Sequence, residues 1–355
     1  MNILHVAPIN VAGVPYAMMD MQRRFGHSAR LITLHRNTLT FPEDICLDLP
    51  LPRNPLAHWW RQHKQANPVV PGHTPTLRKL EARNPAERLY FQFDDWRRAK
   101  RIAEAIERHA LHDFDIIHYD GGLDFFRDAH IAREWKSKGK KIVCHYMGSD
   151  LRVRGVHPVL DSLSDLNLTN ESDHLLLHPN IHFVFIPFDT AEFSLRQSEN
   201  GKLRIIHSPS NRHLKGTRFI LPVMEQLKQQ RDVEFVLAEN MPHEELLALK
   251  MTCDVAIEQV GNLGGTGYGR NSLETLAMGI PTITEMTPDY TTWLPENPFI
   301  LATPETLLEQ LLHVIDDPEL RRDKRVRGRE WVEKYHSYET VHQRLQALYK
   351  DHGIL

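Results

Sequence analysis

Cysteine is scarce in this 355-residue sequence: there are three, Cys46, Cys144 and Cys253. An odd, widely spaced set excludes a disulfide framework and a thiolate metal cluster, and points to a reducing compartment. Cys144 lies in the apolar run KIVCHY and reads as a buried, inert thiol. No run approaches the ~18 apolar residues that span a bilayer. Met1 leads directly into NILHVAP, a strand-like stretch with no basic leader or cleavage site, so a signal peptide is not expected. Among 22 histidines no pair has the H-E-x-x-H spacing of a zinc helix. Charge of one sign is not in excess either: the formal net charge is −3, which excludes a general nucleic-acid binder. The expectation is a cytoplasmic protein without metal or cofactor.

What the sequence does have is a rhythm. Short apolar runs, ILHVA (3–7), ARLITL (29–34), DIIHY (115–119), KIVCH (141–145) and IHFVFI (181–186), form one series. A second series follows: LRIIH (203–207), VEFVLA (233–238), DVAIEQ (254–259) and PTITE (281–285). Continuous rather than alternating apolarity is the pattern of strands buried on both faces. Helical patterns fall between them, at 14–26, 89–110 and 124–138, then at 217–230, 243–252, 270–279 and 304–316. Strand-helix alternation implies parallel sheets covered by helices, and two series imply two doubly wound α/β domains. The stretch SLRQSENG, near 187–201, reads as the linker. The tail from Pro318 onward is helical, with breaks expected at Gly328 and at the HSY of 336–338.

Residues of roughly 50–100 depart from the rhythm. Between Arg53 and Arg101 there are eleven Lys/Arg against four Asp/Glu, and prolines break any long element. Trp59 and Trp60 sit among His58, Arg61, His63 and Lys64. Three readings stand: peripheral contact with an anionic membrane surface, binding of an anionic acceptor glycan, or a solvated basic face with tryptophans packed on the domain.

Glycine is sparse at 18 residues, yet five fall between Gly261 and Gly269, in GNLGGTGYGRNSLETLAMGI. Gly265, Gly267 and Gly269 let backbone approach a ligand, and Arg270, Asn271 and Ser272 open a helix whose N-terminus favours an anion. Glu274 in its first turn suits two sugar hydroxyls, or is only a carboxylate well placed on the helix dipole. Upstream, HSPSNRHLKGTRFI (207–220) places Arg212 and Lys215 at the carboxyl end of a strand, suited to a diphosphate or merely a basic turn. Together the two segments fit a sugar attached to a nucleoside diphosphate. Asp113-Phe114-Asp115 matches a metal-binding D-x-D but directly precedes a buried strand, and reads as a turn.

Residues 203–345 resemble the carboxyl-terminal domain of retaining GT-B glycosyltransferases of family 4. The resemblance rests on Arg212, Lys215-Gly216, Gly267-Tyr268-Gly269, Glu274, Ala277-Met278-Gly279-Ile280-Pro281 and the ending GREWVEKYHSYETVHQRLQALY (328–349). In the first half it rests on NVAGVPYAMMDMQRRFGHSARLIT (10–33), FDIIHYDGG (114–122) and HYMGSDLR (145–152). It implies two Rossmann-like domains facing a cleft: an acceptor-side domain of 1–190 carrying the basic insert, a donor domain of 191–335, and a terminal helix of 336–355 packing back toward the first domain. It implies sugar transfer with retention of configuration, without metal, to a glycan, lipid-linked or other acceptor. Arg212, Lys215 and His145 would act at the reacting centre. Gly267, Tyr268, Gly269, Arg270, Asn271, Ser272 and Glu274 would hold the donor, with Met241 and Pro242 edging its base and Gly13 approaching donor phosphate or acceptor. Asp150 and Arg152 would face the acceptor, or pair with each other.

One position departs from the family. Its two glutamates are separated by seven residues, and the first, usually against the donor sugar, is Thr266 here. Glu258 is a partial substitute or a structural residue. Two other functions stay open: a nucleotide-sugar epimerase of the same fold, and a non-catalytic nucleotide-sugar-binding partner subunit, to which only Thr266 points.

Overall fold

The computed structural model describes residues 1–50, 77–82, 84–264 and 267–355. The Trp59–Trp60 segment and Thr266 lie outside the described residues, so the readings placed on them are not addressed by the structure. The chain forms two compact units, Met1–Ile186 with Val341–Leu355, and Pro187–Thr340.

Unit 1 is built on a seven-stranded sheet of order β3-β2-β1-β4-β5-β6-β7. Its strands are β1 (Asn2–Ala7), β2 (Ser28–Thr33), β3 (Ile45–Cys46), β4 (Ile116–Asp120), β5 (Lys141–Tyr146), β6 (Leu166–Thr169) and β7 (His182–Phe183). Every pairing is parallel. The helices are α1 (Val14–Arg24), α2 (Pro85–Arg108), α3 (His130–Ser137), α4 (Pro158–Leu163) and α5 (His174–Leu177). One face of the sheet carries Leu4, Val6, Ile117, Tyr119, Ile142 and Cys144 into an apolar core with Phe125 and Trp135.

Strand β3 and helices α4 and α5 are not among the expected elements, and two further departures have a visible cause. The helix expected at 124–138 starts only at His130, because Ala129 is left-handed and buried Asp124 accepts from the backbone N–H groups of Phe125 and Ala132. Strand β6 has no apolar run, only LNLT; it is completed by pairing with β5.

Unit 2 carries a second all-parallel sheet, β12-β11-β10-β8-β9. Its strands are β8 (Arg204–His207), β9 (Glu234–Leu237), β10 (Val255–Gln259), β11 (Thr282–Thr284) and β12 (Ile300–Leu301). Its helices are α6 (Thr217–Gln230), α7 (His243–Lys250), α8 (Arg270–Ala277), α9 (Pro288–Trp293), α10 (Leu307–Asp316) and α11 (Pro318–His336). The last helix, α12 (Tyr338–Asp351), lies almost wholly in unit 1. Gly328 does not break α11; it is buried within it, where an added Cβ would come 2.9 Å from Leu276 of α8. The missing side chain lets two helices approach closely, and the break falls after His336.

Strand order reverses between β8 and β10 in unit 2, as it does between β1 and β4 in unit 1. In open parallel sheets a ligand binds outside the carboxyl ends of the strands at such a switch point.

Candidate functional site

At the switch point of unit 2, β8 ends at buried His207. Its Nδ1 donates to the Ile257 carbonyl of β10 at 2.9 Å, so its Nε2 accepts from Thr217 Oγ1 at 2.8 Å. One neutral ring thus ties β8, β10 and α6 together. Burial lowers its pKa, which keeps it neutral. The following loop closes at Gly216, left-handed with φ 68°, where a Cβ would lie 1.7 Å from the Val260 carbonyl oxygen. No other residue fits there, and this tight closure positions Lys215 beside β10.

The Lys215 ammonium donates to the Glu258 carboxylate and, at 3.0 Å, to Gln259 Oε1. Glu258 is buried at the end of β10, and its other oxygen accepts from Asn271 Nδ2 at 2.5 Å and Ser272 Oγ at 2.9 Å. Asn271 also accepts from Ser208 Oγ at 2.8 Å. One carboxylate therefore couples the Lys215 loop to the first turn of α8. Burial alone would raise its pKa, but Lys215 and these donors lower it. Glu258 faces Lys215 and the first turn of α8.

Glu274, one turn further along α8, is also buried. Lys250 Nζ of α7 reaches Oε2 at 2.6 Å, His243 Nε2 reaches Oε1 at 2.7 Å, and Arg270 Nε approaches Oε1 at 3.3 Å. Burial favours the neutral acid, yet Lys250, His243 and Arg270 together hold its pKa down to about 2. Lys250 itself has no exposed surface. The sequence placed no role on Lys250 or His243, since each reads locally as an ordinary helix-end residue.

The other donor-side residues divide. Arg212 is exposed and forks onto Glu239 at the end of the β9 run, its Nε 2.6 Å from Oε1. Met241 and Pro242 precede α7 and are half-buried and exposed, respectively. Gly267 is required by packing rather than by backbone freedom: a Cβ would sit 2.4 Å from the Tyr290 ring. Gly269 has open space around its Cα and extended backbone, so its position is not restricted to glycine. Gly269 stands at the N-cap of α8 and offers no side chain to cap it. The Tyr268 side chain stacks on Tyr290 (5.9 Å between centroids), meets Phe299 and Trp331, and reaches His336 Nε2 with its hydroxyl at 3.1 Å. It anchors the glycine loop in an aromatic cluster.

In unit 1, Gly13 is left-handed (φ 70°) and buried at the start of α1. His145 is the penultimate residue of β5, with no exposed surface, and its Nδ1 donates to Asp120 Oδ1 at 3.2 Å. Asp120 Oδ2 accepts from His5 Nδ1 at 2.8 Å, and His5 Nε2 meets the Gln22 side-chain amide at 2.9 Å. Gln22 Nε2 donates to the Tyr349 hydroxyl at 3.3 Å, and that hydroxyl meets His118 Nε2. Both His5 ring nitrogens are thus hydrogen-bonded, one of them to the Asp120 carboxylate. Burial opposes that charge, but His5 and His145 keep Asp120 well below the usual carboxylate range. His5, His118 and Asp120 offer three ligand atoms within 4.8 Å of one another, but both His5 nitrogens are already engaged.

Asp150 and Arg152 do not pair with each other. Asp150 binds Arg154 at 2.9 Å and accepts from Met147 N–H at 2.9 Å. Arg152 is buried between Asp173, at 2.7 Å, and Glu171, at 3.3 Å, and also donates to the Gly148 carbonyl. The spacing of the two residues suggested a partnership that the short helical turn at Asp150–Arg154 replaces with an i,i+4 pair. Asp113 lies in a short helical turn before β4, and Asp115 accepts from Asn2 Nδ2 at 3.1 Å.

A family model described as "Glycosyl transferase-like" matches residues 235–347. No curated protein matches the chain by sequence. Among solved structures, Alr3699/HepE of Anabaena, in complex with UDP-glucose, is 13% identical with a TM-score of 0.59, covering 99% of this chain and 100% of that one. An α-glucosyltransferase in complex with UDP and mismatched DNA is 10% identical with a TM-score of 0.62, covering 98% and 99%. A glycosyltransferase of Rickettsia africae is 12% identical with a TM-score of 0.62, covering 98% of each chain.

Proposed function

We propose that unit 2 binds a nucleoside diphosphate-sugar and that the protein transfers the sugar, as a retaining enzyme of family-4 type, to a glycan, lipid-linked or other acceptor. The chain has the GT-B fold of these glycosyltransferases, an α/β fold of two Rossmann-like domains. The observation that carries the proposal is the convergence of Lys215, the first turn of α8 and Glu274 at the β8/β10 switch point, with α8 and Glu274 inside the segment of residues 235–347 matched by the glycosyltransferase family model and Lys215 upstream of it. Two of the similar structures hold UDP or UDP-glucose, which makes a uridine diphosphate-sugar the first donor to try.

The chemistry has a stated electrostatic basis. Transfer leaves a nucleoside diphosphate on which negative charge develops, and preorganised donors offset it. Lys215, the Arg270 and Asn271 backbone amides and the α8 dipole are such donors, so the reading needs no metal. In this structure Lys215 faces Glu258 and Arg212 faces Glu239. A diphosphate would share or take over these cations. Glu274 is oriented by Lys250 with one oxygen, leaving the His243 side as the edge where ribose hydroxyls would exchange for a protein donor. His145, fixed by Asp120, is the residue proposed to act near the transferred sugar.

The test is nucleotide release from a panel of UDP- and GDP-sugars with mixed acceptors in the presence of chelator. Donor binding with acceptor-dependent release supports the proposal. Conversion of the donor sugar without acceptor indicates an epimerase, and tight binding with no turnover indicates a partner subunit. If no nucleotide sugar binds and Lys215→Ala alters nothing, the reading fails.

A further inference from the structure

Helix α2 of unit 1 presents an apolar stripe that nothing in the sugar-transfer reading uses. Leu89, Phe93 and Trp96 are 67%, 58% and 73% exposed. Their spacing of four and three residues stacks them along one side of the helix, over about 10 Å. The Phe93 and Trp96 rings touch, with centroids 6.0 Å apart. The opposite face of the helix is the one that packs on the unit, through Glu87, Asp94, Ile102 and Ala105. The stripe is therefore not the core face of an amphipathic helix but a second apolar face directed outward.

Its flanks carry charge of one sign. Arg88, Arg97, Lys100 and Arg101 are exposed along the same stretch, while Glu87 and Asp94 are buried and Asp95 is half-buried. The first exposed acid on the helix is Glu104, past the stripe. Beside it, Arg97, Arg98, Arg101 and His35 line a recess that Asp94 also lines. Arg98 and Arg101 are held there by Asp95 and the Leu47 carbonyl.

We propose that this face of α2 docks on an anionic lipid surface, with Leu89, Phe93 and Trp96 entering the headgroup–acyl boundary and the arginines meeting lipid phosphates. Aromatic and leucine side chains bordered by Lys and Arg are the composition of helices that lie in a membrane interface, and tryptophan favours that depth. A symmetric pair of this chain through the same face would oppose four cations with four cations, which favours a lipid partner over a second copy.

The experiment is co-sedimentation of the full chain with vesicles of phosphatidylcholine alone and of equal parts phosphatidylcholine and phosphatidylglycerol. Binding is expected to the mixed vesicles only, and to fall as salt is added. Phe93→Ser with Trp96→Ser lowers it by about tenfold or more. Arg97→Gln with Lys100→Gln lowers it by about tenfold and flattens the salt dependence. Both double variants keep the parent melting temperature, because the substituted side chains are exposed and Asp94, which Arg97 contacts, keeps Arg127 at 3.1 Å. Equal sedimentation with both vesicle types, or undiminished binding by the apolar double variant, overturns the proposal. So does a concentration-dependent dimer that the apolar double variant abolishes, which would assign the stripe to self-association.

Discussion

Two buried carboxylates in unit 2 carry opposite implications for substitution. Glu274 is held chiefly by Lys250, and removing the ammonium leaves the buried carboxylate with only His243 and Arg270, both on its other oxygen. Lys250→Met is expected to destabilise the protein by about 3–5 kcal/mol, read from denaturant unfolding. The same site predicts a pH dependence. The folded-state pKa of Glu274 is about 2 against an ordinary 4.5, so its stabilisation is complete above about pH 4.5 and is lost as pH falls toward 2. The loss amounts to about 3 kcal/mol at most. Glu274→Gln should lose less stability than the parent between about pH 5 and pH 2; equal acid sensitivity would show that the ion pairs contribute nothing there. Glu258 behaves differently. It both positions Lys215 and lies where it would repel a diphosphate. Glu258→Gln keeps an acceptor for Lys215 and removes the repulsion, so nucleotide affinity should hold or rise, whereas Lys215→Ala should lower it by about tenfold or more. A fall of similar size in both variants would mean that Glu258 is needed as a charge.

Among elements, α12 is tied to the unit 1 sheet by a polar contact as well as an apolar one. Val341, Leu345 and Leu348 are buried, and Tyr349 places its hydroxyl between Gln22 and His118. Tyr349→Phe strands those two groups and should cost about 1–3 kcal/mol with little change in shape; a near-neutral melting curve would show that the network is not strained by its loss. This network illustrates what the sequence makes legible and what it does not. Long apolar runs set β1, β4, β5, β8, β9 and β10 close to their observed ranges, because burial on both faces leaves a local signature. Within those runs, His5, His118, Asp120 and His145 stand on one face of the sheet, and the register pairs His5 with His118 and Asp120 with His145. Polar residues recurring inside buried strands were the available signal for the cluster. The Gln22 and Tyr349 partners had none, since both come from helices and Tyr349 lies 231 residues from His118. Strand β6 was hidden because LNLT gains its burial from neighbours, and the place of Gly328 was misread because close helix contact, not a bend, is what demands glycine there. Lys250 likewise reads as a favourable cation at a helix end, and only tertiary packing turns it into the counter-ion of Glu274.

At the scale of the whole chain, each unit has its own sheet, its own apolar core and its own switch point. The sugar-transfer reading loads the nucleotide onto one of them. That asymmetry is measurable without knowing the acceptor or the sugar. Uridine diphosphate at about a hundredfold excess over its dissociation constant should stabilise the protein that binds it by about 2.7 kcal/mol. In hydrogen exchange, the added protection should fall on the segment after β8, on α7 and on the first turn of α8, where backbone N–H groups meet the ligand. Lys215→Ala should remove most of the protection at a given nucleotide concentration without altering the exchange of β1, β4 and β5. Protection centred instead on the His5–Asp120–His145 strands of unit 1 would relocate the nucleotide to the other switch point, and Lys215 and Glu274 would then be structural ion pairs of a unit with a different task.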